Sequence, residues 1–222
     1  MSKLTDYLYQ KVSEFFRDFP YVSSGGITKR NYDNLEVLLE KIKKPNLKIA
    51  EIGSWTGTST VLFASYAQAT DGKVYAIDWF KGNPNTHLER EAKFINIKNI
   101  LKEHLQFFNL LKYVEIIEAT SEEASKRFEN DYFDFVFLDG DHRYEIFKKD
   151  LELWYPKVKK GGLLVGHDAE VLVDSWEELF QKVIDNDCSH LHLGIIKALM
   201  EFKPKAKLID NNDVIWYIEK ND

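Results

Sequence analysis

Cysteine is nearly absent. A single residue, Cys188, in 222 excludes an intrachain disulfide and sets the expectation of a reducing, cytoplasmic compartment. Long apolar runs are missing too. No stretch approaches the roughly 20 residues that cross a bilayer, so no membrane partner is expected. The opening MSKLTDYLYQKVSEFFRDFP carries charges throughout and lacks the continuous apolar core of a secretory signal. Positive charge is not in excess: 30 Lys and Arg against 36 Asp and Glu leave a net charge of −6. Nucleic-acid binding calls for a basic face, so none is expected, and the short run Lys41-Ile42-Lys43-Lys44 reads as a solvated helix end. Repeats, low-complexity blocks and Pro/Gly/Ser-rich linkers are also lacking. One domain over 1–222 is therefore expected, with a helical cap over 1–45 and a core over 46–222.

What is present is an ordinary globular mixture, 44% hydrophobic and 14% aromatic, enough for a large core without disulfides. Apolar residues at three-to-four spacing predict helices over 3–18 and 32–43. A rhythm follows. Short apolar runs at 48–52, 73–78, 113–117, 133–138 and 162–166 alternate with helical patterns at 57–69, 88–108, 121–129, 144–155 and 174–186. Such alternation predicts βαβ units and a mostly parallel sheet covered on both faces. Two final runs, 206–210 and 214–219, flank Asn211-Asn212-Asp213 and predict an antiparallel hairpin. The expected fold is α/β: a doubly wound, Rossmann-like sheet of seven strands with an antiparallel end.

The first strand runs into AEIGSWTGTST, residues 50–60. Gly53 and Gly57 permit a tight turn and close approach of a ligand to the backbone, and Thr58 or Ser59 can cap the following helix. A phosphate-binding loop needs Gly-Lys-Ser/Thr, which is missing, and a dinucleotide fingerprint needs a third glycine. S-adenosylmethionine has no phosphate, and its ammonium needs an acceptor. Glu51, an acid inside an apolar strand where it is costly without partners, supplies one. Asp78 ends the second strand 21 residues after Gly57, the place from which a carboxylate accepts ribose hydroxyls. After the fourth strand come Asp139-Gly140-Asp141-His142.

Together, Glu51-Ile-Gly53-Ser-Trp55-Thr-Gly57, Asp78, Asp139-Gly-Asp-His142 and Gly161-Gly162-Leu-Leu-Val-Gly-His167-Asp168 resemble the class I S-adenosylmethionine-dependent methyltransferases. The closer likeness is to metal-dependent small-molecule O-methyltransferases of the catechol and macrolide-sugar types, over roughly 47–170. The resemblance implies that Glu51, Gly53, Trp55, Gly57 and Ser59 hold the methionine part of the donor and Asp78 its ribose. It places Thr120 and Ser121 at the adenine and Asp139 at the junction of donor and metal. It implies a divalent metal, Mg²⁺ or Mn²⁺, on Asp139, His167 and Asp168, with His142 as general base. The acceptor implied is a small hydroxylated molecule. Where catechol-type enzymes carry Asp-Asn, this chain has His167-Asp168, an imidazole better suited to Mn²⁺, Fe²⁺ or Zn²⁺ than to Mg²⁺. His167 as an outer partner of Asp168 is the alternative.

Other readings stay open. One is a methyltransferase using His142 without metal, and another is a donor-binding protein without turnover. An NAD-dependent oxidoreductase is disfavoured by the missing third glycine. Asp141 reads as a helix N-cap or exposed turn residue. Cys188-x-His190-x-His192 lacks a fourth ligand and lies away from the strand ends, so it reads as no metal cluster. Trp55 and Trp79 face the donor or pack. Residues 81–87 form a lid or a plain connection. A homo-oligomer is compatible with all of this.

Overall fold

A computed structural model describes residues 3–186, 191–210 and 213–221, with side chains outside 182–186. Seven strands form one sheet in the order β3-β2-β1-β4-β5-β7-β6. They are β1 (Lys48–Ile52), β2 (Lys73–Asp78), β3 (Val114–Glu118), β4 (Phe133–Leu138), β5 (Val158–Gly166), β6 (Lys207–Leu208) and β7 (Trp216–Glu219). The first five are parallel, and β7 runs antiparallel between β5 and β6. This is the expected doubly wound sheet. Of the hairpin's turn, Asn211 and Asn212 lie outside the described residues, as do Cys188 and His190.

Alternation along the strands divides the core. Ile49, Phe135, Phe137, Leu163 and Val165 pack on one face with α1 (Lys3–Phe16), α2 (Lys29–Ile42), α3 (Thr58–Thr70) and α5 (Ile97–Phe107). Ala50, Ile52, Val136, Leu138 and Leu164 pack on the other with α6 (Ser121–Ser125), α7 (Tyr144–Trp154) and α9 (Leu193–Glu201). Both faces are apolar because both are covered, which is why these strands read as continuous hydrophobic runs. The remaining helices are α4 (His87–Phe94) and α8 (Trp176–Asn186). No helix among the described residues is long and apolar enough to cross a membrane.

Several expectations need correction. The helix predicted over 88–108 is two, α4 and α5, because Ile95 is extended and the Asn96 side chain caps a new start by accepting from Asn99 N at 3.1 Å. The helix at 121 ends by Ser125, and the chain then turns so that Phe128 and Tyr132 pack on Tyr75. Strand β5 begins at Val158, not 162, with an irregular register opposite Phe133–Phe135. Helix α9 was not anticipated. Neither Thr58 nor Ser59 caps α3: Gly57 holds the N-cap in the left-handed region (φ 88°), and the two hydroxyls bond elsewhere.

Candidate active site

The parallel register aligns the ends of four strands. Ile52 pairs with Ile77 and Leu138, and Leu138 with Gly166. The next residues in the chain, Gly53, Asp78, Asp139 and His167, therefore leave the sheet side by side at its carboxyl edge. The strand order reverses there, between β1 and β4, which is where open parallel sheets bind ligands. A cleft of about 370 Å³ opens at this point. Six of the expected donor-site residues line it: Gly53, Trp55, Asp78, Thr120, Ser121 and Asp139. Trp79 and Gly82-Asn83 line it too, and Asn83 Nδ2 donates to the Gly140 carbonyl at 3.1 Å, tying the 81–87 segment across the cleft.

Gly53 is required for a reason the sequence did not show. Its φ is +91°, and a Cβ there would lie 2.1 Å from the Asp139 carbonyl oxygen. The close approach is between two loops of the chain, which sets Asp139 against the β1–α3 turn. Trp55 sits in the left-handed region at φ 44°, an outlier for a bulky residue and a mark of a constrained site. Its Nε1 donates to Ser23 O at 3.0 Å, and Thr56 Oγ1 reaches the same carbonyl at 3.1 Å. The segment between α1 and α2 is thereby tied to the turn. His104, buried and missed by sequence reasoning, supports the turn from beneath. Burial lowers its pKa to about 4, so the ring is neutral and Nδ1–H donates to Thr56 O at 2.9 Å. The ring stacks on Phe15 with centroids 4.4 Å apart.

Glu51, Gly57 and Ser59 are not on the cleft wall. Glu51 is fully buried, and its carboxyl accepts from Ser59 Oγ and, at 2.5 Å, from Thr60 Oγ1. Burial pushes its pKa up to about 8, the hydroxyls hold it down in part, and the charges of Asp139 and Asp78 add to the rise. Asp78 accepts from the Trp55 amide at 2.8 Å and the Phe80 amide at 2.6 Å. Burial raises its pKa, and these two amides offset part of that. At the far end of the cleft, Thr120 caps α6, while Ser121 Oγ donates to Asp150 and accepts from Trp154 Nε1 at 2.8 Å.

Beside the cleft the acids and histidines converge. Asp139, His167 and Asp168 each offer one donor atom within 4.8 Å of the others. His167 Nδ1 lies 2.9 Å from Asp168 Oδ1 and 4.0 Å from Asp139 Oδ1. Burial and the neighbouring Asp168 and Asp78 raise the Asp139 pKa, against the pull of His167 and His192. Burial disfavours charge on His167, but its contact with Asp168 and the charge of Asp139 win and raise it. Its Nε2 is buried with no partner among the described residues. Two carboxylates and an imidazole whose Nε2 is left without a partner are a donor set that could hold a divalent cation. Asp168 itself sits at φ 63°.

His142 lies in the β4–α7 loop ahead of the helix, with Nε2 3.1 Å from Asp168 Oδ2. Burial lowers its pKa more than Asp168 raises it, so the ring is neutral at pH 7. Asp141 is not the N-cap. Arg143 is, and Asp141 grips its amide at 2.9 Å and its guanidinium at 2.6 Å. Sequence reasoning also set His192 aside. The structure brings it from the start of α9 to within 3.7 Å of Asp168 Oδ1, gripped by Glu170 at 2.6 Å. The only local signal was its being a histidine.

A family model described as a methyltransferase domain matches residues 50–169, which hold the β1–α3 turn and the acid-bearing ends of β2, β4 and β5. An uncharacterized protein, y4gI, of Sinorhizobium fredii is 27% identical over 126 residues, 56% of this chain but 13% of that protein. The chain thus spans a small part of that relative's length. Among solved structures, the O-methyltransferase from Bacillus cereus in complex with SAH superposes with a TM-score of 0.61 at 16% identity, covering 99% of this chain and 92% of that one. TomG, an O-methyltransferase from Streptomyces achromogenes involved in tomaymycin synthesis and solved with SAM, gives 0.62 at 15%, covering 96% and 89%. At such identities the likeness is one of fold.

Proposed function

The chain belongs to the methyltransferase-domain family, and on that premise we propose that it moves the methyl group of S-adenosylmethionine to a hydroxyl of a small molecule. A divalent cation assists, and His142 takes the proton. The observation that carries this reading is the place of Asp139. It lines the cleft that six expected donor-site residues share, and it stands within 4.8 Å of donor atoms on His167 and Asp168. Donor pocket and cation ligands thus meet at one carboxylate.

In this reading Asp78 binds the donor's ribose, the Gly53–Trp55 turn its methionine part, and Thr120 and Ser121 its adenine. Asp139, His167 and Asp168 hold the cation. When bound, the donor supplies an electrophilic methyl on a sulfonium, and the cation supplies acidity to an alcohol that is otherwise a poor nucleophile at pH 7. The chain's own work is alignment and proton removal. His142, neutral at pH 7, donates from Nε2 to Asp168 Oδ2 at 3.1 Å, which leaves Nδ1 to accept the acceptor's proton and lets Asp168 stabilise the imidazolium that forms. Trp55 and the 81–87 segment limit water over the donor.

The test is calorimetric titration with S-adenosylhomocysteine, followed by methyl-transfer assays over a panel of small phenols, catechols and sugars, in EDTA and after Mg²⁺ or Mn²⁺ is restored. Saturable binding and a chelator-sensitive product are expected, and His142→Ala should lower kcat about 10²-fold or more with little change in donor affinity. Full activity in EDTA would remove the cation. Binding of NAD and not of S-adenosylhomocysteine would remove the reading.

A further inference from the structure

Helix α9 brings groups to this site that the proposed reaction does not use. Gly194 packs against the β4–α7 loop so closely that a Cβ would lie 2.3 Å from the His142 carbonyl oxygen and 2.8 Å from Tyr144 N. A side chain there would push the helix away. Its absence seats His192 beside His142, ring centroids 4.7 Å apart and planes at 89°. Asp168 completes the group, 3.1 Å from His142 Nε2 and 3.7 Å from His192 Nδ1. One donor atom from each of the three lies within 4.8 Å of the others. Behind them Glu170 accepts from His192 Nδ1 at 2.6 Å and from its backbone amide at 3.1 Å.

We propose that His142, Asp168 and His192 form a capture site for a transition metal of the Zn²⁺ class, and that filling it stops methyl transfer by occupying the base. The second clause rests on the role given to His142 above. Two imidazoles and one carboxylate suit Zn²⁺, Co²⁺ or Ni²⁺, whereas Mg²⁺ prefers oxygen ligands and keeps its waters. Tetrahedral zinc with bonds near 2.0–2.1 Å sets its ligand atoms about 3.4 Å apart. The 3.1 Å between His142 Nε2 and Asp168 Oδ2 is close to that spacing. Glu170 holds His192 as an outer carboxylate holds a metal-ligating histidine, fixing ring and tautomer so that Nε2 keeps its lone pair. The side chains of His142 and His192 are 34% and 37% exposed, so an ion can enter without the fold opening. Asp168 is common to this site and to the Asp139–His167–Asp168 set, so capture also draws a ligand from the assisting cation.

The experiment titrates Zn²⁺ into chelator-stripped protein by calorimetry in millimolar Mg²⁺, with the visible absorption of Co²⁺ as an independent report of tetrahedral coordination. One Zn²⁺ should bind. His192→Ala should weaken it at least about tenfold and Glu170→Gln about tenfold, while Asp139→Asn changes it less than about threefold. Zn²⁺ should inhibit methyl transfer, with the inhibition constant rising in step with the binding constant in His192→Ala. Unchanged Zn²⁺ affinity in both His192→Ala and His192→Gln, or no saturable binding, overturns the site. Turnover that survives His142→Ala while capture still depends on His192 supports the site and overturns only the base reading beneath it. The reverse pair of results overturns the site and keeps the base.

Discussion

Replacing Glu51 with Gln removes an ionisable group from the middle of the sheet and keeps its shape. The carboxyl is fully buried between β1 and α3, and burial, aided by Asp139 and Asp78, raises its pKa from 4.5 to about 8. A folded-state pKa above the unfolded value means that the folded chain holds the proton more tightly. The resulting stabilisation is complete below the unfolded value of 4.5 and is lost as pH rises through the folded value near 8. At about 1.4 kcal/mol per tenfold change in proton affinity, the whole effect is on the order of 5 kcal/mol, and about 3.5 kcal/mol of it falls between pH 5 and pH 8. The amide of Gln places donors where the Ser59 and Thr60 hydroxyls also donate, which costs about 1–3 kcal/mol at any pH. The stability curves of the two proteins should therefore cross. Urea unfolding at half-unit steps from pH 5 to pH 9 should show the Gln variant weaker at the acid end, the stronger of the two at the alkaline end, and flatter between. Parallel curves would refute the claim that a neutral carboxyl is buried there.

Gly53→Ala should lower Tm sharply or yield insoluble protein, because its Cβ would stand 2.1 Å from a backbone oxygen at positive φ; a melting curve that overlays the wild type would sink the close-approach argument. Asp78→Ala should weaken S-adenosylhomocysteine several-fold in calorimetry, and an unchanged affinity would remove Asp78 from the ribose. Asp134, buried in β4, bonds Lys44 at 2.7 Å, Lys159 at 2.9 Å and the Lys48 amide at 2.8 Å. Although burial pushes its pKa up, these partners prevail and lower it, so its contribution holds above the ordinary carboxylate value and is lost as pH falls through the folded one. Asp134→Ala should cost about 1–3 kcal/mol at pH 7 and progressively less as pH falls below the ordinary carboxylate range, which acid titration of stability can read.

The alternation of apolar runs and helical patterns, and the turn glycines, are local properties, and they carried the seven-stranded sheet and its antiparallel end. The row Gly53, Asp78, Asp139, His167 was legible for a related reason. Parallel strands deliver their carboxyl ends to one edge, so whatever follows each apolar run must lie beside its neighbours. Local pattern could not say what the glycine turn approaches, and the answer is the Asp139 backbone. Nor could it say which way Glu51 turns, which is into α3 and away from the cleft. The meeting of His142, Asp168 and His192 was hidden most completely. It spans fifty residues of chain and depends on α9 lying flat against the β4–α7 loop at Gly194. Spacing along the chain predicts neighbours only where a regular element fixes the geometry between them. Where a loop closes over a long separation, the packing of whole helices decides which side chains touch.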